Sequence, residues 1–228
     1  MNTFRKAPQR LARRIVSPLR RRKLPPLLAE LPGFAVPATA IEVLPDPAGF
    51  RRKLLDMIAH AQQRVVIVAL YLQDDVGGRE IMDALYAAHA RKPDLQISVF
   101  VDWHRGQRGL IGAGKSGGNA DMYREYAQRH GPGVRIYGVP VENRELFGVL
   151  HLKGFVIDDA VLYSGASLND VYLMRHGRYR LDRYHLLRHR GLADAMATFV
   201  QRHFVDSPAV RRLNVAEVPA TRTLQPAI

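Results

Sequence analysis

The 228-residue chain contains no cysteine. That absence excludes disulfides and zinc–thiolate centres, and it fits a reducing cytoplasm. No apolar run approaches the roughly 20 residues of a membrane-spanning helix. No His-Glu-x-x-His or comparable metal pattern occurs, so neither a metal nor a cofactor is expected. No segment repeats. Residues 1–23 lack any acid, and they lack the apolar core of a signal peptide, so an export reading fails.

What is present is a globular composition, 47% hydrophobic, with a net charge of +13 that is unevenly spread. Arg5, Lys6, Arg10, Arg13, Arg14, Arg20, Arg21, Arg22 and Lys23 account for most of it, and the rest of the chain carries +4. Such a tail binds nucleic acid, binds an anionic membrane surface, or is simply solvated. Pro25-Pro26 and Pro32-Gly33 mark a linker, so residues 1–33 are expected to be tail and linker, 34–205 a domain, and 206–228 a loose tail.

Within the domain, strand and helix signals alternate. Ile41–Leu44 reads as a short strand. Asp46-Pro47 opens a helix whose apolar face is Phe50, Leu54, Met57, Ile58 and Ala61. Arg64–Leu72 is nearly all apolar and β-branched, as a strand buried on both faces would be. Gly77-Gly78 breaks the chain before a helix carrying Ile81, Leu85 and Ala88, which Pro93-Asp94 stops. Further strands are predicted at Leu95–Val101, Val134–Val139 and Tyr184–His189, and further helices at Ala120–Arg129 and Leu192–Phe204. This alternation argues an α/β domain with a mixed or mostly parallel sheet.

The glycine-rich stretch from Asp102 to Asp121 contains Gly109-x4-Gly114-Lys115-Ser116, which matches a P-loop. A P-loop needs a strand directly before its first glycine and a helix at its Lys-Ser. Residues 102–108 intervene here, and Gly117-Gly118 disfavours the helix. The better reading is a ligand loop at a strand's carboxyl end. There, just after Asp102, His104, Arg105 and Arg108 set cationic donors beside bare glycine backbone, which suits phosphate; the alternative is a surface loop with solvated arginines.

The chemistry centres on His151 to Asp170, HLKGFVIDDAVLYSGASLND. His151 and Lys153 are two apart, so on an extended strand they share a face. An imidazole beside an ammonium suits phosphorus chemistry: one attacks, the other holds oxygens. Asp158 has the opposite parity to His151 and belongs instead to the Asp158-Asp159 turn.

His151-x-Lys153-x4-Asp158, followed by Gly165-Ala166-Ser167-x-Asn169, resembles the HKD signature of the phospholipase D superfamily. Ala166 interrupts the usual Gly-Ser-x-Asn. The blocks Asn169–Tyr172, Arg180–His185, Val101–Gly112 and Val68–Asp75 are similar to bacterial phosphatidylserine synthases, which are CDP-diacylglycerol–serine O-phosphatidyltransferases. The resemblance runs from about Ile41 to Phe204 and implies a phospholipase D-like fold, a mixed or mostly parallel sheet flanked by helices, with one HKD motif at 151–169.

It further implies phosphatidyl transfer from CDP-diacylglycerol to L-serine through a phosphatidyl-histidine. His151 would be the nucleophile. Lys153 and Asn169 would hold the non-bridging oxygens with help from Ser167, and Asp182 would hydrogen-bond the His151 ring. Gly165 and Asp158 would be structural, and Tyr71, Asp102, His104, Arg105 and Arg108 would line the substrate pocket. The protein would be cytoplasmic, held on the inner membrane face by residues 5–23. Family members build a site from two motifs. A single copy implies a homodimer, a separate second half, or an inactive remnant. The competing reading is a homodimeric nuclease or phospholipase of the same superfamily, with the tail on nucleic acid.

Overall fold

In a computed structural model, residues 33–107, 118–141 and 148–217 are described. The first strand is β1 (Ile41–Val43). Asp46 then caps α1 (Pro47–His60) by accepting the Gly49 N–H at 2.6 Å, with proline pre-set in the first turn. After β2 (Arg64–Val68), Asp75 caps α2 (Val76–Arg91) by accepting from Gly78 N–H at 2.8 Å. Next come β3 (Gln96–Asp102), the short α3 (Trp103–Gln107) and α4 (Asn119–His130). The strands β4 (Val134–Val139), β5 (Gly154–Ile157), β6 (Ala160–Tyr163) and β7 (His185–Arg188) precede α5 (Arg190–Val200). A π-helical turn (Gln201–Val205) and β8 (Arg211–Arg212) follow.

The strands form one sheet in the order β1-β7-β6-β5-β2-β3-β4-β8. The pairs β2·β3 and β3·β4 are parallel and the rest antiparallel, giving the expected mixed sheet. Residues of period two divide between its faces. Val65, Ile67, Ile97, Val99, Phe155 and Leu162 pack with Phe50, Leu54, Ile81 and Tyr123 of α1, α2 and α4. On the other face, Val156 and Val161 meet Ala193 of α5, while Val68 and Phe100 cluster with Val200 and Phe204.

Several expectations need correcting. The β2 strand ends at Val68, not Leu72. Tyr71 to Gln73 leave it to bond the later loop through Leu168: the Gln73 N–H donates to Leu168 O, and the Leu168 N–H to Tyr71 O. Gly77-Gly78 do not break the chain but form the first turn of α2. A Cβ on Gly78 would lie 1.8 Å from the Gln73 carbonyl oxygen, so only glycine lets the backbone fold back there. Residues 206–217 are not a loose tail. β8 pairs with β4, Leu213 is fully buried, and the buried Asn214 amide bonds Ile136 N–H and Val134 O.

Asp158 stands in the β5–β6 turn with φ of 50°, a left-handed conformation aspartate tolerates. Its carboxylate accepts the N–H groups of Gln62, Gln63 and Arg64 at 2.8, 2.7 and 3.1 Å, fixing the entry to β2. Asp158→Ala strips those three donors of their partner at a partly exposed place. It is expected to cost about 1–2 kcal/mol, lowering Tm by roughly 2–8 °C in a thermal melt. An unchanged Tm would deny Asp158 this role.

Candidate active site

The sheet gathers six of these strand termini at one end. The carboxyl ends of β2, β3 and β4 lie there because they are parallel. The register Val68↔Gly154 brings the start of β5 to the same place, and Phe155↔Leu162 and Tyr163↔His185 bring the end of β6 and the start of β7. Segments His151–Lys153, Ser164–Asp170, Tyr71–Asp75 and α3 all emerge here.

His151 and Lys153 are not on a strand, contrary to the parity expectation; they precede β5 in irregular chain. The two side chains still meet. Lys153 Nζ lies 3.4 Å from His151 Nδ1 and donates to the His151 carbonyl at 3.3 Å. His151 is exposed and Lys153 half-buried. Burial lowers the Lys153 pKa below the usual lysine value, and the charge of Asp182 acts in the opposite direction.

Asp182 does not take the expected place against the His151 ring. Its Oδ1 accepts the N–H groups of Gly165 at 3.0 Å and Arg183 at 2.6 Å. Among the described residues the ring's polar neighbour is Lys153. Asp182 thus holds the glycine loop and sets the field at Lys153. A Cβ on Gly165 would come within 2.8 Å of the Asp182 carboxylate, so a larger residue there would push that side chain aside.

Ser167 and Asn169 are brought to Tyr71. Asn169 Nδ2 donates to the Tyr71 hydroxyl at 3.2 Å, and the Ser167 side chain acts on the same hydroxyl, opposing the rise of its pKa. Burial pushes the Tyr71 pKa up, and the Arg105 guanidinium lies 5.9 Å above its ring. Tyr71, Arg105, Ser167 and Asn169 therefore form one cluster. His104 stands beside Arg105 on α3. Arg108 lies outside the described residues.

Asp102 is not a substrate contact. It is wholly buried, accepting Arg105 N–H through Oδ1 and Leu150 N–H through Oδ2, each at 2.9 Å. Burial raises its carboxyl above the ordinary aspartate value, and the two donors hold back part of the rise. It ties the arginine helix to the residue before His151. Three further anchors escape the sequence. Buried Asn119 accepts from Asp74 N–H and donates to the Arg105 carbonyl, both at 2.9 Å. Asp75 and Asp170 are latched reciprocally: Asp75 Oδ2 accepts Asp170 N–H at 2.9 Å, and Asp170 Oδ1 accepts Gly77 N–H at 2.7 Å. The signal for Asp75 was available, an aspartate directly before the first helical turn.

Residues 54–170 match the family described as "Cardiolipin synthase, PLD-like domain". The CDP-diacylglycerol--serine O-phosphatidyltransferase PssA of Escherichia coli is 49% identical over 206 residues, 90% of this chain and 46% of that protein. The crystal structure of phosphatidylserine synthase from Haemophilus influenzae superimposes with a TM-score of 0.82 at 44% identity, covering 87% of this chain and 44% of that one. A mitochondrial CDP-diacylglycerol--glycerol-3-phosphate 3-phosphatidyltransferase of Gallus gallus is 29% identical, over 69% of this chain and 30% of its own. The chain spans about half the length of the phosphatidylserine synthases it matches. It belongs to the PLD-like domain family, where its sequence is similar to phosphatidylserine synthases.

Proposed function

We propose that this chain carries the nucleophile half of a CDP-diacylglycerol–serine O-phosphatidyltransferase. The carrying observation is the His151–Lys153 pair at the end of the sheet, the ring exposed and the ammonium half-buried, with their nitrogens 3.4 Å apart. A ring nitrogen of His151 attacks the phosphatidyl phosphorus of CDP-diacylglycerol and CMP departs. The hydroxyl of L-serine then attacks the phosphatidyl-histidine, releasing phosphatidylserine and restoring the imidazole. Lys153 stabilises the charge that gathers on the non-bridging oxygens, the Tyr71–Asn169–Ser167 cluster positions them, and Arg105 faces the diphosphate. A second HKD motif, from a homodimer partner or another chain half, supplies the acid and base. Residues 5–23 draw the protein to the anionic inner face of the cytoplasmic membrane.

The test is CMP release from CDP-diacylglycerol, with and without serine. Serine-dependent phosphatidylserine formation supports the reading. Hydrolysis of DNA without action on this lipid overturns it in favour of a phosphodiesterase.

Asp102→Asn keeps the side-chain volume but turns an NH2 group toward one of two backbone donors. The His151 segment and α3 then lose their common anchor. Displacements of that size cost on the order of 10²-fold in turnover. We expect kcat to fall by roughly that factor with KM for both substrates moving less; an unaltered kcat would rule Asp102 out as a positioning residue.

A further inference from the structure

The Tyr71 and Asn169 loops run side by side. The Gln73 N–H donates to Leu168 O and the Leu168 N–H to Tyr71 O, so Leu72 and Leu168 form a short parallel bridge. Further along, backbone pairing stops and two half-buried carboxylates take over. Asp75 Oδ2 accepts Asp170 N–H at 2.9 Å across 95 positions, and Asp170 Oδ1 accepts Gly77 N–H at 2.7 Å across 93. Capping α2 needs one oxygen of Asp75, the Oδ1 that accepts Gly78 N–H at 2.8 Å. The other oxygen reaches the second loop. Asp75 and Asp170 thus share the first turn of α2, where the helix dipole favours negative charge. Burial raises the Asp75 carboxyl above the ordinary aspartate value, and the Asp170 and Gly78 N–H groups hold back part of the rise. The approach is close: a Cβ on Gly77 would stand 3.2 Å from Asp170 Oδ1 and 3.3 Å from the Asn169 carbonyl carbon. Asn169 lies between bridged Leu168 and clamped Asp170. Its Oδ1 accepts Tyr172 N–H at 3.1 Å, which leaves Nδ2 to face the Tyr71 hydroxyl at 3.2 Å.

We propose that Asp75 and Asp170 are positioning residues for phosphatidyl transfer, a reciprocal clamp that holds the Asn169 amide in register with Tyr71 so that its N–H donors meet the phosphoryl oxygens. The inference rests on the reading of this site as a phosphatidyl-transfer centre. The backbone bridge at Leu168 fixes one flank of Asn169. Without an anchor at Asp170 the other flank can swing away from Tyr71 and carry the amide with it. A donor that acts on developing charge loses most of its effect when displaced by a fraction of an ångström to an ångström. Neither carboxylate needs to touch substrate: each acts through the backbone of the loop that carries the donor.

The experiment separates the clamp from the helix cap. Asp75→Ser keeps an oxygen for α2, since serine caps a helix about as well as aspartate, but it has no second oxygen for Asp170 N–H. Asp170→Ala removes the reciprocal bond. In single-turnover CMP release from CDP-diacylglycerol by the full chain, each variant should lower the rate constant about tenfold at unchanged amplitude. The double variant should fall no further than the worse single, because the two carboxylates act as one unit. An unchanged rate constant overturns the proposal. So does a fall in amplitude alone, which marks misfolded protein, and so do losses that multiply in the double variant, which mark two independent roles. Hydrogen exchange reads the clamp without substrate. In Asp75→Ser the amides of residues 169–172 should exchange faster while α2 keeps its wild-type protection; unaltered exchange in that loop also overturns the proposal. A wild-type chain that releases no CMP would sink the functional reading, and the exchange experiment would still decide whether the two acids hold the Asn169 loop.

Discussion

His151→Ala should abolish phosphatidyl transfer, with a loss on the order of 10⁴-fold or more, as removal of a covalent nucleophile does. The side chain is exposed, so truncation opens no cavity and stability should stay within about 0.5 kcal/mol. The loss would therefore be chemical. It is read most directly without serine. Wild-type protein incubated with CDP-diacylglycerol labelled in its phosphatidyl group should carry the label after rapid acid-free quenching in denaturant, since a phosphoramidate bond to histidine is acid-labile. The variant should carry none. A variant that still takes up label on protein would place the nucleophile elsewhere.

Lys153→Met keeps most of the stem and deletes the charge. Loss of one donor aimed at developing negative charge typically costs 10²–10³-fold, about 2.7–4 kcal/mol. The same lysine predicts a pH dependence. Its charged form is the useful one, so the rate should fall as pH rises through its pKa. Burial has already lowered that pKa, and Asp182 counteracts the lowering. Asp182→Asn removes the counteracting charge while its amide oxygen can still accept from Gly165. The alkaline limb of kcat/KM should then move to lower pH. An alkaline limb that stays where it was would mean that Lys153 does not set it.

Where sequence and structure agree, a periodic pattern was the cause. Asp46-Pro47 with Phe50, Leu54 and Ile58 specified α1, and the alternation in Leu95–Val101 specified β3 to within a residue. Disagreement came where one residue type serves two purposes. A buried aspartate at a strand's end looks the same in sequence whether it meets substrate or backbone, and Asp102 meets backbone. Asp182 was placed by family likeness against the ring, but it bonds the Gly165 loop. Gly77-Gly78 read as a break because glycine usually is one; here it admits the Gln73 carbonyl into the first turn of α2. Residues 206–217 looked loose because a two-residue strand and a single buried leucine leave no periodicity to detect.

The neighbour relation of β1 and β7 constrains how the protein comes off the ribosome. Glu42 and Arg188 are 146 residues apart, yet they face each other in an ion pair at that edge. At 5–20 residues per second, synthesis of the intervening chain takes roughly 7–30 s. Through that interval β1 has no strand to join, while β2, β3 and β4 can already pair in order as they appear. The first strand of the sheet in sequence is thus among the last to be laid down. The nascent chain must therefore keep Ile41–Val43 from foreign strand partners until the segment following the active-site loop has been made.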